Sequence, residues 1–464
     1  MRHWIGLVMA GGALAALSAC DDGGGAMLPN QDPFPSTYTP YPSGPFTLTN
    51  ARVLTGRGDV IENGEVTVAG GRIVRVGPAG KLGALRADVI DVGGATVTPG
   101  IIDIHSHLGV YPSPGFASTA DGNEATAPNT AGVRAENSVW PQDPGFSRAL
   151  AGGVTSLMIL PGSANLFGGR AVTLKNVPSR TVQGMKFPGA PFGMKMACGE
   201  NPKRVYGDKG GPQTRMGNFE GYREGFQGAK EYAASWKAYA NDPSGPPPAR
   251  DLSKETIAAA LDGEILVHMH CYRGDEMAQV IDMAEEFGYR ISAFHHGVEA
   301  YKIADLLAEE GICGAVWADW YGFKLEAYDA VPANAALIHA QPGGCAVIHS
   351  DSALGIQRLN QEAAKAMRDG IAAGIDIRPE EAIMWITSNP AKAMGIGGMT
   401  GSIQTGKMAD LVVWDGDPFS VYAKPSRVYI DGALLFDADD SSLSPRSDFE
   451  LAQRGMTGTG GAGQ

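Results

Sequence analysis

Four short apolar runs in this chain end in histidine. They are Ile101-Ile102-Asp103-Ile104-His105-Ser106-His107, Glu264-Ile265-Leu266-Val267-His268-Met269-His270, Ile291-Ser292-Ala293-Phe294-His295-His296 and Ala346-Val347-Ile348-His349-Ser350-Asp351. Another β-like run, Ser156-Leu157-Met158-Ile159-Leu160, precedes the last three, and periodic helical stretches such as 277–287 follow them. Strands that alternate with helices favour a parallel sheet with crossover helices. In such a sheet, polar residues at the C-terminal ends of the strands collect at one mouth. The chain has nine histidines in all, so their clustering at strand ends constrains function as well as fold.

Alternate residues of a strand share a face, so His105 and His107 point the same way, as two imidazoles holding one metal ion would. His-x-His alone is a weak signal; its weight here comes from the later strands. His268 and His270 also share a face, whereas adjacent His295 and His296 point to opposite faces, so only one of them turns inward. Asp351, just past an apolar run, stands where a barrel places a ligand or a base.

The flanks are different in kind. Between Phe46 and Val92, and again over 410–430, short alternating runs are separated by turn signals such as Gly70-Gly71 and Asp431-Gly432, the pattern of antiparallel strands. The two terminal pieces, 46–97 and 400–437, are expected to complete one small β-sandwich around a central domain at 98–399. Within that domain, 207–252 breaks the alternation. Phe219, Tyr222, Phe226, Tyr232, Trp236 and Tyr239 stand there at near-helical spacing, which predicts a helical insertion whose aromatic stripe is a packed face rather than a substrate entrance.

The N-terminus reads as an export signal over residues 1–19, a charged start followed by the apolar run Trp4 to Leu17. Leu17-Ser18-Ala19-Cys20 resembles a bacterial lipobox, which implies lipidation at Cys20, a membrane tether and a periplasmic or cell-envelope location. Residues 20–45, with Gly23-Gly24-Gly25 and six prolines from Pro29 to Pro45, suit an extended spacer. Residues 438–464 are expected to form a tail. The other cysteines, Cys198, Cys271, Cys313 and Cys345, are scattered through mostly apolar segments and read as buried free thiols, although export permits a bridge. A net charge of −13 with no basic cluster excludes nucleic-acid binding.

Taken in order, the early His-x-His, single histidines after two later strands and an aspartate after the last one are similar to the amidohydrolase superfamily. The imidazolonepropionase-like and dipeptidase-like members are the most similar. The approach Pro99-Gly100-Ile101-Ile102-Asp103, the turn Thr400-Gly401-Ser402-Ile403 and the run 406–412 extend the resemblance over about residues 46–437. It implies an α/β fold, a (β/α)8 TIM-like barrel with a β-sandwich from both terminal segments.

The resemblance further implies two divalent metal ions, zinc first, with manganese, iron and cobalt also compatible with such ligands. His105, His107, His270, His296 and Asp351 are the ligands it picks, with His268 behind them and Asp351 also the catalytic proton shuttle. The bridging group is Glu200 or a carboxylated Lys195. Fully extended, these two would lie about 16 Å apart and face opposite sides, and Glu200 is favoured because Gly199 can end the strand and leave it at the mouth. Arg204, beside Lys203 and Tyr206, and Arg273 are candidates for binding a substrate carboxylate.

The expected activity is cleavage of a C–N bond in a small substrate such as a dipeptide, acyl amino acid or cyclic amide. A heterocycle deaminase and an inactive surface binding lipoprotein are the alternatives. Oligomeric state is left open, a homo-oligomer included.

Overall fold

The computed structural model describes residues 32–80 and 87–445. The export segment and Cys20 lie outside the described residues, as does 446–464. Five strands come first: β1 (Phe46–Leu54), β2 (Val60–Ala69), β3 (Arg72–Pro78), β4 (Asp88–Asp91) and β5 (Thr96–Pro99). Eight follow: β6 (Ile101–Ser106), β7 (Val154–Ile159), β8 (Phe167–Lys175), β9 (Gly193–Ala197), β10 (Leu266–His270), β11 (Ile291–His295), β12 (Cys313–Val316) and β13 (Ala346–Ile348). The last three are β14 (Leu411–Trp414), β15 (Pro425–Ile430) and β16 (Ala433–Asp437).

Strands β6 to β13 form a TIM-like barrel in simple chain order, nearly closed. The seam between β13 and β6 is held at its mouth, where Asp351 donates its N–H to the His105 carbonyl (3.0 Å) and Ser350 donates to Asp103. Full βα alternation fails at one place. β8 runs antiparallel to both β7 and β9, so a strand stands where the pattern expected a crossover helix. Within it, Gly169 takes φ +114°, and a Cβ there would lie 2.6 Å from Val133, so a close backbone approach is built into the strand.

The two terminal segments meet in a single eight-stranded sheet, ordered β16-β15-β14-β5-β1-β2-β3 with β4 also on β1. β1 serves two neighbours because it changes course at Asn50 (φ +54°): residues 46–49 pair with β4, and Arg52 and Val53 pair with β5. Leu48, Val53, Val66, Val68, Val97, Leu411 and Val413 give this sheet its own buried apolar cluster.

The insertion is helical, with a 27-residue helix at Arg215–Asn241 capped by Thr214. Its aromatic stripe is a packing face. Tyr222, Phe226 and Tyr232 are buried, and Phe226 stacks on Phe287 and Tyr289 at 5.3 and 4.5 Å. Residues 32–45 have no regular secondary structure, yet they lie against the body. The Tyr38 hydroxyl donates to Asp431 (2.5 Å), and the Tyr41 hydroxyl donates to the Pro178 carbonyl (2.7 Å).

The four described cysteines are not free thiols. Cys198 bridges Cys271 and Cys313 bridges Cys345, with Cα separations of 5.2 and 4.6 Å. Parallel register is the cause. Ala197 pairs with His270, which sets the next residues side by side, and Gly314 pairs with Ala346, which does the same for the residues before them. Among the described residues no helix is long and apolar enough to cross a membrane.

Candidate metal centre

Seven of the nine histidines, at 105, 107, 268, 270, 295, 296 and 349, converge at the C-terminal mouth of the barrel. Register explains much of this. Lys195 of β9 is level with His268 of β10, and His270 is level with His295 of β11, so neighbouring strands place their polar residues in layers. His105 is the focus: its Nε2 lies 3.3 Å from His107 Nε2, 3.5 Å from Lys195 Nζ and 3.6 Å from an Asp351 oxygen. Asp351 also lies 3.2 Å from His107 and 3.7 Å from His296.

Strand alternation allowed only one of His295 and His296 inside, and the structure turns both inward. His296 sits past the end of β11 at φ +58°, a left-handed conformation that a non-glycine residue rarely adopts, and this rotates its ring toward His105. Asp351 is held at φ +49° beyond β13. Such backbone costs about 1–3 kcal/mol per residue and is found where surrounding contacts impose it. His295 lies deeper, with Nδ1 2.9 Å from His105 Nδ1 and Nε2 2.9 Å from His268 Nδ1.

Burial sets the charge state. It pushes His105, His270, His295 and His296 well below the ordinary histidine range and brings His268 and His349 down to about 3, so these rings are neutral near pH 7. Burial alone would raise Asp351, but in the metal-free site the hydrogen bond with His107 and the basic groups around it outweigh burial and keep the carboxyl below its usual range. Neutral imidazoles and an ionised carboxylate are the donor forms a metal requires.

The donors fit a divalent ion. His105, His107 and Asp351 bring one ligand atom each within 4.8 Å of one another, and so do His105, His296 and His349. Five buried ring nitrogens, His268 Nε2, His270 Nδ1, His296 Nδ1 and both of His349, have no hydrogen-bond partner in the protein. An unpaired buried polar atom costs about 1–3 kcal/mol, a cost that ligation would offset at those nitrogens that face the ion, though not at the deeper His268 Nε2.

The structure separates the two bridging candidates. Lys195 is fully buried, its Nζ 3.3 Å from the Pro161 carbonyl and 3.5 Å from His105 Nε2, and burial lowers it to about 7. Glu200 opens the helix Glu200–Tyr206 and pairs instead with Lys324 (3.6 Å). The four-carbon stem of lysine carries its nitrogen up from inside the strand toward His105.

Arg273 is not brought to the cluster. Its fork is taken by Asp275, at 2.9 and 2.7 Å. Arg204 is exposed on the helix after β9, on the side of Tyr272 and Lys324. The sequence pattern assigns no role to His349, although it ends the apolar run at 346–348, nor to Trp317, whose ring stacks on His296 at 4.3 Å.

A model of the amidohydrolase family matches residues 329–444, which hold His349 and Asp351. Amidohydrolase tasK of Hapsidospora irregularis is 34% identical over 400 residues, 81% of this chain; the chain spans 40% of that protein's length. An imidazolonepropionase of Sphingopyxis alaskensis is 26% identical over 408 residues, 80% of this chain and 92% of its own. Among solved structures, an amidohydrolase from Thermotoga maritima superposes with a TM-score of 0.77 at 36% identity, over 84% of this chain and 100% of that one.

Proposed function

The chain belongs to the amidohydrolase family, and on that premise we propose that it is a metal-dependent hydrolase cleaving a C–N bond of a small substrate, such as a dipeptide, acyl amino acid or cyclic amide. One observation carries the reading: His105, His107 and Asp351 converge on one point beside Lys195, at the mouth where barrel enzymes do their chemistry. Bound divalent ions, zinc first, would supply a water acidified to near neutrality and would polarise the substrate carbonyl.

His105, His107, His270, His296 and Asp351 would hold the ions, with Lys195, once carboxylated, in place of Glu200 as the bridge. Near pH 7 a substantial fraction of the Lys195 amine is neutral, the form that takes up carbon dioxide. His107 faces the Leu160 carbonyl through Nδ1 (2.9 Å), which assigns the proton to that nitrogen and leaves Nε2 toward the centre. Asp351, kept ionised, accepts a proton at its carboxylate and later delivers it to the leaving nitrogen. Trp317 screens His296 from bulk water, and Arg204 would bind a substrate carboxylate.

Export to the envelope on a lipid at Cys20 is part of the proposal. The two buried disulfides support it, because such bonds persist in oxidising compartments. A one-ion heterocycle deaminase is the second reading, favoured by the fact that both donor triads share His105. Metal content of protein purified without chelators tests both. About two ions per chain support the binuclear hydrolase, and about one favours the deaminase. No uptake even after reconstitution would overturn both and leave a binding protein.

A further inference from the structure

His349 follows β13 directly and is 1% exposed, and neither of its ring nitrogens meets a hydrogen-bond partner in the protein. A satisfied core histidine would show at least one partner, since buried polar groups are paired almost without exception. The ring faces the metal cluster. Its centroid lies 4.7 Å from that of His296 and 5.2 Å from that of His105, and one nitrogen from each of the three rings falls within 4.8 Å of the others. Trp317 covers this corner, 4.3 Å from His296 and 5.2 Å from His349, and is tied to the same chain segment through its Nε1–H to the Ser350 carbonyl (3.3 Å). His349 and Asp351, two residues apart, let one strand end offer the centre both an imidazole and a carboxylate.

We propose that His349 is a metal ligand that adds its imidazole to those of His105 and His296, and that this added nitrogen tilts the centre toward borderline divalent ions such as zinc, cobalt or nickel over manganese or magnesium. The proposal rests on the metal-hydrolase reading and adds a ligand to it. Its selectivity follows from donor type: three neutral nitrogens under an indole suit borderline ions, whereas hard ions favour carboxylate, carbonyl and water oxygens. The triad with Asp351 offers one such oxygen, and the triad with His349 offers none.

The test is chelator competition for zinc and for manganese on the full-length wild type and on His349→Gln, which keeps a polar side chain of similar reach. Zinc affinity should fall more than 100-fold in the variant, and its preference for zinc over manganese should narrow. A zinc loss of about 100-fold or less is what an outer-shell partner produces and would overturn the ligand assignment. Should the variant misfold, crystals of zinc-loaded wild type decide the matter through anomalous scattering. A His349 nitrogen about 2.0–2.1 Å from zinc is the expected result, and a separation beyond about 3 Å refutes it. A wild type that takes up no metal sinks the hydrolase reading itself, whereas metal held equally well by wild type and variant sinks only the role of His349.

Discussion

Replacing Lys195 by methionine should make the metal-free protein more stable while lowering its metal content. The lysine is fully buried in β9, and burial draws its pKa from the ordinary 10.5 to about 7. Each tenfold change in proton affinity is worth about 1.4 kcal/mol, so holding this side chain inside costs the metal-free fold at most about 5 kcal/mol at pH 7 and below. The sign follows from the lower folded value. Between about pH 7 and 10.5 the unfolded chain binds more protons than the folded one, and stability rises with pH across that window.

Methionine fills a similar volume and carries no proton, so Lys195→Met should remove both the cost and the slope. Urea unfolding of chelator-treated wild type and variant at about pH 7 and pH 9.5 reads the two effects, and elemental analysis after reloading with bicarbonate and zinc reads the metal. The variant should unfold at higher urea at pH 7, gain little at pH 9.5 and hold less metal. A variant less stable than wild type at pH 7, or one that reloads fully, would refute the argument and make Lys195 a structural residue.

Asp351→Asn keeps the shape of the side chain and removes its base, so turnover of a dipeptide or acyl amino acid should fall about 100- to 10,000-fold while much of the metal stays; an active variant would sink the proton shuttle. Glu200→Gln should leave metal content unchanged, because Glu200 pairs with Lys324 and not with the histidines; loss of an ion on elemental analysis would restore Glu200 as the bridge. Opening Cys198–Cys271 with a double alanine substitution releases a 73-residue loop, worth about 4 kcal/mol by chain entropy. Its thermal midpoint should drop, and an unchanged midpoint would show that the bridge adds nothing to the fold.

What could be read in the sequence depended on whether one strand sufficed to decide it. His105-x-His107 was legible because a period of two operates within a single run, and the same rule placed His268 below His270. The rule misled at His295-His296 because a positive φ past the strand end cancels alternation, and no composition signal marks a left-handed histidine. The disulfides needed knowledge of which strands are neighbours and in what register, which only the assembled barrel supplies. The antiparallel β8 was hidden for a similar reason. Its apolar run and paired glycines suit either strand direction, and hydrogen bonding to β7 and β9 decides between them.

The deepest histidines tie the centre to the barrel core. If His105 keeps Nε2 free of a proton for a metal, its proton sits on Nδ1 and points at His295 Nδ1, 2.9 Å away, which must then accept. A neutral His295 accepting at Nδ1 carries its own proton on Nε2, 2.9 Å from His268 Nδ1, which accepts in turn. One choice at the mouth thereby fixes the tautomers of two further buried rings, the last of which has its Nε2 unpartnered inside the barrel. His268 therefore belongs to the same hydrogen-bonded unit as the ligand whose lone pair it helps orient, although that unit reaches the ligand only through His295. A buried imidazole at this depth has little to contribute to packing that an apolar side chain would not do better, so the chain of three rings is most simply read as the support that holds His105 in the one tautomer able to bind.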